Sequence, residues 1–115
     1  MLEFVDGVVE GTKLLCKRAP ELLRVVYGSF GEINCLDQLD DEPKPSETIW
    51  VYQRINEPTK LHMKFSKKSM SGYYMMAKYK QHESQPGNSV RSTKAWREWA
   101  LNEQEKINAR STGQD

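Results

Sequence analysis

Residues able to do chemistry are scattered thinly through this 115-residue chain, with one exception. Between Pro58 and His82 the sequence PTKLHMKFSKKSMSGYYMMAKYKQH holds six lysines and no acidic residue, with Phe65, Tyr73, Tyr74 and Tyr79 set among them. Ammonium groups neutralise phosphates or carboxylates, and aromatic faces stack on bases, so this mixture suits an anionic partner. The charge is segregated, because the whole chain carries only +1. Residues 1–48 hold ten Asp/Glu against five Lys/Arg, residues 49–97 hold ten Lys/Arg against two Glu, and residues 98–115 come to −2.

The segment before the lysines reads as a strand. Ile49, Val51, Gln53 and Ile55 alternate with Trp50, Tyr52 and Arg54, and alternate residues of a strand share a face. With Ile49, Val51, Ile55, Leu61, Met63 and Phe65 inside, the opposite face collects Trp50, Tyr52, Arg54, His62 and Lys64. Tyr74, Met76, Lys78 and Lys80 complete that face from a third strand. The expected interface is therefore nucleic-acid-binding. Lys60, Lys64, Lys67, Lys68, Lys78 and Lys80 meet phosphates, Trp50, Tyr52 and Tyr74 stack on bases, and Arg54 joins them. The competing reading is structural, since aromatics populate strands for packing and lysines guard exposed sheet edges. A helix bearing Trp96 and Trp99 packed over Trp50 and Tyr52 would have the same effect.

Other constellations carry less. Ser66-Lys67-Lys68-Ser69 and Ser71-Gly72 offer phosphate donors but lack the GxxxxGK[ST] spacing of a nucleotide loop. Asp37, Asp40, Asp41 and Glu42 lack the spacing of a calcium loop and read as a solvated acidic run. His62, His82, Cys16 and Cys35 show none of the close spacings of paired metal ligands, so no metal and no cofactor is expected. Paired carboxylates occur only in the acidic run, where no apolar pocket is expected to raise one pKa. The stretch around Pro20 has the outline of a helix-turn-helix, yet its second helix would offer only Glu21 and Arg24 to base edges. Catalysis is not expected.

The elements that must position these residues are expected as follows. Met1, Val5, Val8, Thr12 and Leu15 keep the 4-3-4-3 spacing of one helix face, although Gly7 and Gly11 weaken it; the alternative is a short strand Leu2–Val5, a turn at Asp6-Gly7 and then a helix from Thr12. Pro20 suits the first turn of a second helix that Gly28 would end. Residues 36–48 read as an exposed loop. Three strands over 49–55, 61–65 and 73–81, joined by short polar loops, imply an antiparallel meander. From Thr93 a final helix lines up Trp96, Trp99, Ala100 and Ile107 on one stripe. The expected fold is α+β: N-terminal helices, a three-stranded antiparallel meander and a C-terminal helix, in one small domain over 1–110 with a frayed tail at 111–115.

Leu, Ile, Val and Phe make up about a fifth of the chain, a modest supply for one core, and net charge is low enough to favour folding. No apolar run approaches the roughly 20 residues that cross a bilayer, so no membrane partner is expected. The first residues carry acids where an export signal carries lysines, and two cysteines outside any CxxC pair fit a reducing compartment. The expected setting is intracellular, in the cytoplasm. Taken together, these features describe a small non-enzymatic binding protein for nucleic acid. The alternative is a protein-binding adaptor or inhibitor of the accessory or viral type, gripping an acidic protein surface through Trp and Tyr anchors.

Overall fold

Strands, not helices, build the first eighty residues. A computed structural model describes residues 1–36 and 42–112, with the backbone alone for 110–112. The strands are β1 (Leu2–Phe4), β2 (Lys13–Leu14), β3 (Leu22–Tyr27), β4 (Ile33–Leu36), β5 (Thr48–Arg54), β6 (Thr59–Met63) and β7 (Gly72–Gln81). One long helix, α1 (Thr93–Thr112), follows. The strands hydrogen-bond in the order β2-β1-β7-β5-β3-β4, with β6 beside β7. All pairings are antiparallel except β1 with β7. The sheet curls until its two outer strands nearly meet: the sulfurs of Cys16, just past β2, and Cys35, in β4, are 2.8 Å apart. The result is a nearly closed barrel with one helix on its wall.

The N-terminal helices expected from sequence are absent, for two local reasons. Gly7 (φ 78°) and Gly11 (φ 85°) adopt left-handed conformations that turn the chain between β1 and β2. Gly7 also sits where no side chain fits, because a Cβ there would lie 2.1 Å from Gln81 Oε1 and 2.7 Å from the Tyr52 hydroxyl. In β3 the run LLRVVY is buried on both sides. A strand covered on both faces reads as a continuous apolar run, which helical spacing matches by accident. The two consecutive valines favour the strand.

The three-stranded meander is also corrected. All three expected strands exist, but β6 does not pair with β5. Both lie along the same edge of β7: Arg54 stands opposite Tyr79 and Thr59 opposite Met76. Asn56-Glu57-Pro58, where a meander would need its first reversal, acts as an interruption within one long edge. The Ile55 amide donates to the Lys78 carbonyl, and Asn56 Oδ1 accepts the Lys78 amide, both at 2.9 Å. These bonds hold the chain against β7 across the break, and Pro58 has no amide with which to extend pairing. The first half of β7 therefore forms a hairpin arm with β6, while its second half belongs to the barrel.

Two cores result. Leu2, Phe4, Leu23, Val25, Tyr52 and Tyr79 fill the barrel interior with other buried side chains, and Trp50 packs against them. Leu22, Val26, Ile49, Val51 and Val90 face outward and meet Trp96, with Trp99, Ala100 and Ile107 packed at the edge. Each fully buried aliphatic or aromatic side chain contributes about 1.5–3 kcal/mol. The helix stripe expected from Trp96, Trp99, Ala100 and Ile107 is the face that docks. Ser92 Oγ accepts the Ala95 amide and Glu42 accepts the Thr93 amide, so two otherwise unpaired donors of the first turn are met. Glu42 thus caps a helix, whereas Asp37, Asp40 and Asp41 of the acidic run lie outside the described residues. So do residues 113–115 of the expected tail.

Candidate binding surface

The three aromatics expected to stack on bases are not on an open face. Since Ile49 and Val51 point out under α1, Trp50 and Tyr52 point into the barrel. Tyr52 is completely buried, its ring edge-on to Phe4 at 5.0 Å. Its hydroxyl donates to the Asp6 carbonyl and accepts the Val9 amide, each at 3.0 Å. Burial pushes the Tyr52 phenol above its ordinary pKa, since ionisation would place a charge inside the barrel. Trp50 is half-buried and sits opposite Val25. Tyr74 is 8% exposed, donates to the Met70 carbonyl at 2.6 Å, and lies between Phe65 and the Lys17 ammonium. Arg54 turns inward to donate to the carbonyls of Ala19 and Asn56. Hydrophobic demand explains the inversion: both sides of β5 are apolar, and both found a core.

The six lysines behave differently. Lys60, Lys64, Lys67, Lys68, Lys78 and Lys80 are all exposed. They do not form one face. Register places Lys60 opposite Met75 and His62 opposite Tyr73, so these four share one side of the arm. Lys78 and Lys80 alternate onto the other side of β7. Lys64 follows β6, and Lys67 and Lys68 occupy the loop that closes the hairpin, part of it a single 3₁₀ turn over Lys68–Met70. Ser71 Oγ accepts the Phe65 amide and donates back to the Phe65 carbonyl, which fixes this loop.

Two neighbours of these lysines were missed in the expected set. Tyr73 is 63% exposed, and its ring meets His62 at 4.9 Å. The His62 alternation was legible, but Tyr73 and Tyr74 could not be told apart without the register across the 64–71 loop. Backbone geometry adds a second feature. The Lys78 carbonyl bonds toward β5, so even-numbered groups of β7 face the β5–β6 side, and Thr59, Leu61 and Met63 pair with them. The amides and carbonyls of Lys60 and His62 then point away from β7. No strand pairs with that edge among the described residues.

His82 belongs to a different place, the joint between barrel and helix. Its Nε2 lies 3.3 Å from Glu103, Nδ1 accepts the Ser84 amide at 2.9 Å, and Trp99 packs edge-on at 5.3 Å. The same Nδ1 lies 3.0 Å from the Ser84 carbonyl, so the ring bridges the Ser84 backbone and the Glu103 carboxylate. Both side chains are nearly buried, and Lys106 neutralises the outer carboxylate oxygen at 3.2 Å. His82 and His62 do not converge. Among the described residues no group of three His, Cys, Asp or Glu gathers as a metal set, and no helix is long and apolar enough to cross a membrane. No protein-family model, curated protein or solved structure matches this chain.

Proposed function

We propose that the chain is a non-enzymatic binding protein that takes an extended acidic segment of a partner protein along the β6 edge. The observation that carries this reading is the unpaired edge at Lys60 and His62, flanked by Lys60, Lys64, Lys67 and Lys68. An extended peptide can add a strand there, with main-chain hydrogen bonds giving affinity and its carboxylates meeting the lysines. Low-specificity nucleic-acid binding is the weaker reading, because Trp50, Tyr52 and Tyr74 are withdrawn from stacking. Tyr73 remains its one favourable observation, as an exposed ring beside lysines.

The test is fluorescence anisotropy with a labelled peptide of alternating Glu and Val, against a single-stranded oligonucleotide of equal charge. The combined variant K60Q/K64Q/K67Q/K68Q removes no buried contact, so its stability is expected within about 0.5 kcal/mol of the parent. Its affinity for the acidic peptide is expected to fall at least tenfold at low salt. His62→Pro removes an outward amide without breaking a β6–β7 bond, and is expected to weaken the peptide as well. Peptide binding that ignores both variants would refute the edge. Tighter oligonucleotide binding, with a log–log salt slope near −0.7 for each phosphate neutralised, would transfer the arm to nucleic acid.

A further inference from the structure

The two cysteines lie where the ends of the sheet come together, and we propose that Cys16 and Cys35 are the site of a reversible disulfide that latches the barrel seam. The chain holds no third cysteine to compete. Strands β2 and β4 are the first and last of the six-strand path, yet their neighbourhoods bring the sulfurs within 2.8 Å. A disulfide has an S–S length of about 2.05 Å, so bonding needs the sulfurs to approach by a further ~0.75 Å. Both residues are held by the backbone. The Cys16 carbonyl accepts the Met75 amide at 3.0 Å, and Cys35 stands opposite Val25 in the β3–β4 ladder.

The two thiols have unequal access, which sets the order of events. Cys16 is 6% exposed and belongs to the interior core, while Cys35 is half-buried. Both front a shallow cleft that Leu15, Lys17, Asn34 and Tyr74 help to line. The cleft faces solvent, and the thiolate is the form of either cysteine that attacks a disulfide. With a low-molecular-weight disulfide such as oxidised glutathione, the Cys35 thiolate attacks one sulfur of the reagent. The reagent's S–S bond breaks, one small thiol leaves, and a mixed disulfide forms on Cys35. The Cys16 thiolate then attacks Cys35 Sγ and expels the second small thiol. Two protein thiols lose two protons and two electrons, and one small disulfide becomes two thiols. Cysteine spacing alone fits a reduced pair; the geometry makes its state follow the surrounding redox poise.

This inference is independent of the binding arm. The wild-type chain is equilibrated in mixtures of oxidised and reduced glutathione, quenched by alkylation in denaturant, and weighed intact. The expected product is a monomer lighter by two hydrogens with neither sulfur alkylated. The bond closes a loop between positions 19 apart in sequence, and its thermal midpoint is expected to be roughly 10 °C above the reduced form. Cys16→Ser is expected to accumulate an unresolved mixed disulfide on Cys35, and Cys35→Ser to react slowly if at all. A wild-type chain that keeps both thiols alkylatable, stops at a mixed disulfide, or forms an interchain dimer would overturn the latch. An oxidised monomer no more stable than the reduced one would overturn it too.

Discussion

Replacing Tyr52 by Phe isolates one oxygen atom and decides whether this side chain belongs to the barrel or to a binding face. The ring is completely buried, and Phe keeps its volume, so no cavity term arises. What is lost is the hydroxyl that donates to the Asp6 carbonyl and accepts the Val9 amide, each at 3.0 Å. Asp6 is exposed, and water replaces the lost donor at little cost. Val9 is buried at 2% exposure, and its amide is left without an acceptor. A stranded buried donor costs about 1–3 kcal/mol, so the expected loss is about 2 kcal/mol. With an m value of about 1.5 kcal/mol/M, the urea midpoint falls by roughly 1.3 M with the slope unchanged. Exchange of the Val9 amide should accelerate, because this bond ties the Asp6–Thr12 turn to the barrel. The comparison also has a pH signature. The folded phenol has a raised pKa, so its contribution is whole below the unfolded value of about 10 and is lost as pH rises beyond it. The stability gap between wild type and Tyr52→Phe should therefore narrow above that pH. A midpoint change equivalent to less than about 0.5 kcal/mol, with Val9 still protected, would refute the interior placement.

Further outcomes follow from the same packing. Trp96 is nearly buried between α1 and the barrel wall and carries the Arg24 guanidinium 4.9 Å from its ring, so Trp96→Ala is expected to cost about 3–5 kcal/mol. Thermal melts followed by far-ultraviolet circular dichroism should show the loss, and Trp96→Phe should recover more than half of it. Gly7→Ala combines a left-handed φ of 78° with overlap onto Gln81 and Tyr52, and is expected to cost about 2 kcal/mol or more by urea titration. Gly11→Ala has a similar φ but open space around it, so its cost should be confined to about 1 kcal/mol.

Sequence alone reached part of this molecule. The strands near 49–55, 61–65 and 73–81 were legible because period-two alternation and β-branched or aromatic residues are local signals. The docking stripe of α1 was legible for the same reason, since Trp96, Trp99, Ala100 and Ile107 repeat at the spacing of one helix face. The lysines of 58–82 were legible as exposed, because six unpaired ammonium groups resist burial. Failure began where local signals had two solutions. LLRVVY fits a helix face as well as a strand, and only the presence of a core on both sides selects the strand. Asn56-Glu57-Pro58 fits a reversal as well as an interruption, and only the Lys78 bonds to Ile55 and Asn56 keep the chain on one edge.

The aromatic face failed for a deeper reason. Alternation assigns Trp50 and Tyr52 to one side of a strand and Ile49 and Val51 to the other, but it does not say which side is covered. When a sheet curls into a barrel and a helix caps its outer wall, both sides are covered, and a pattern that looks amphipathic becomes two cores. The sequence by itself determined where the charge lies, which segments extend, and which helix face is apolar, because those depend on neighbours in the chain. Tertiary structure decided that Tyr52 and Tyr74 are buried, that Tyr73 shares one face of the arm with Lys60 and His62, and that Cys16 meets Cys35. Those follow from strand order and curvature, which are set by contacts between residues far apart in sequence and leave no trace in local spacing.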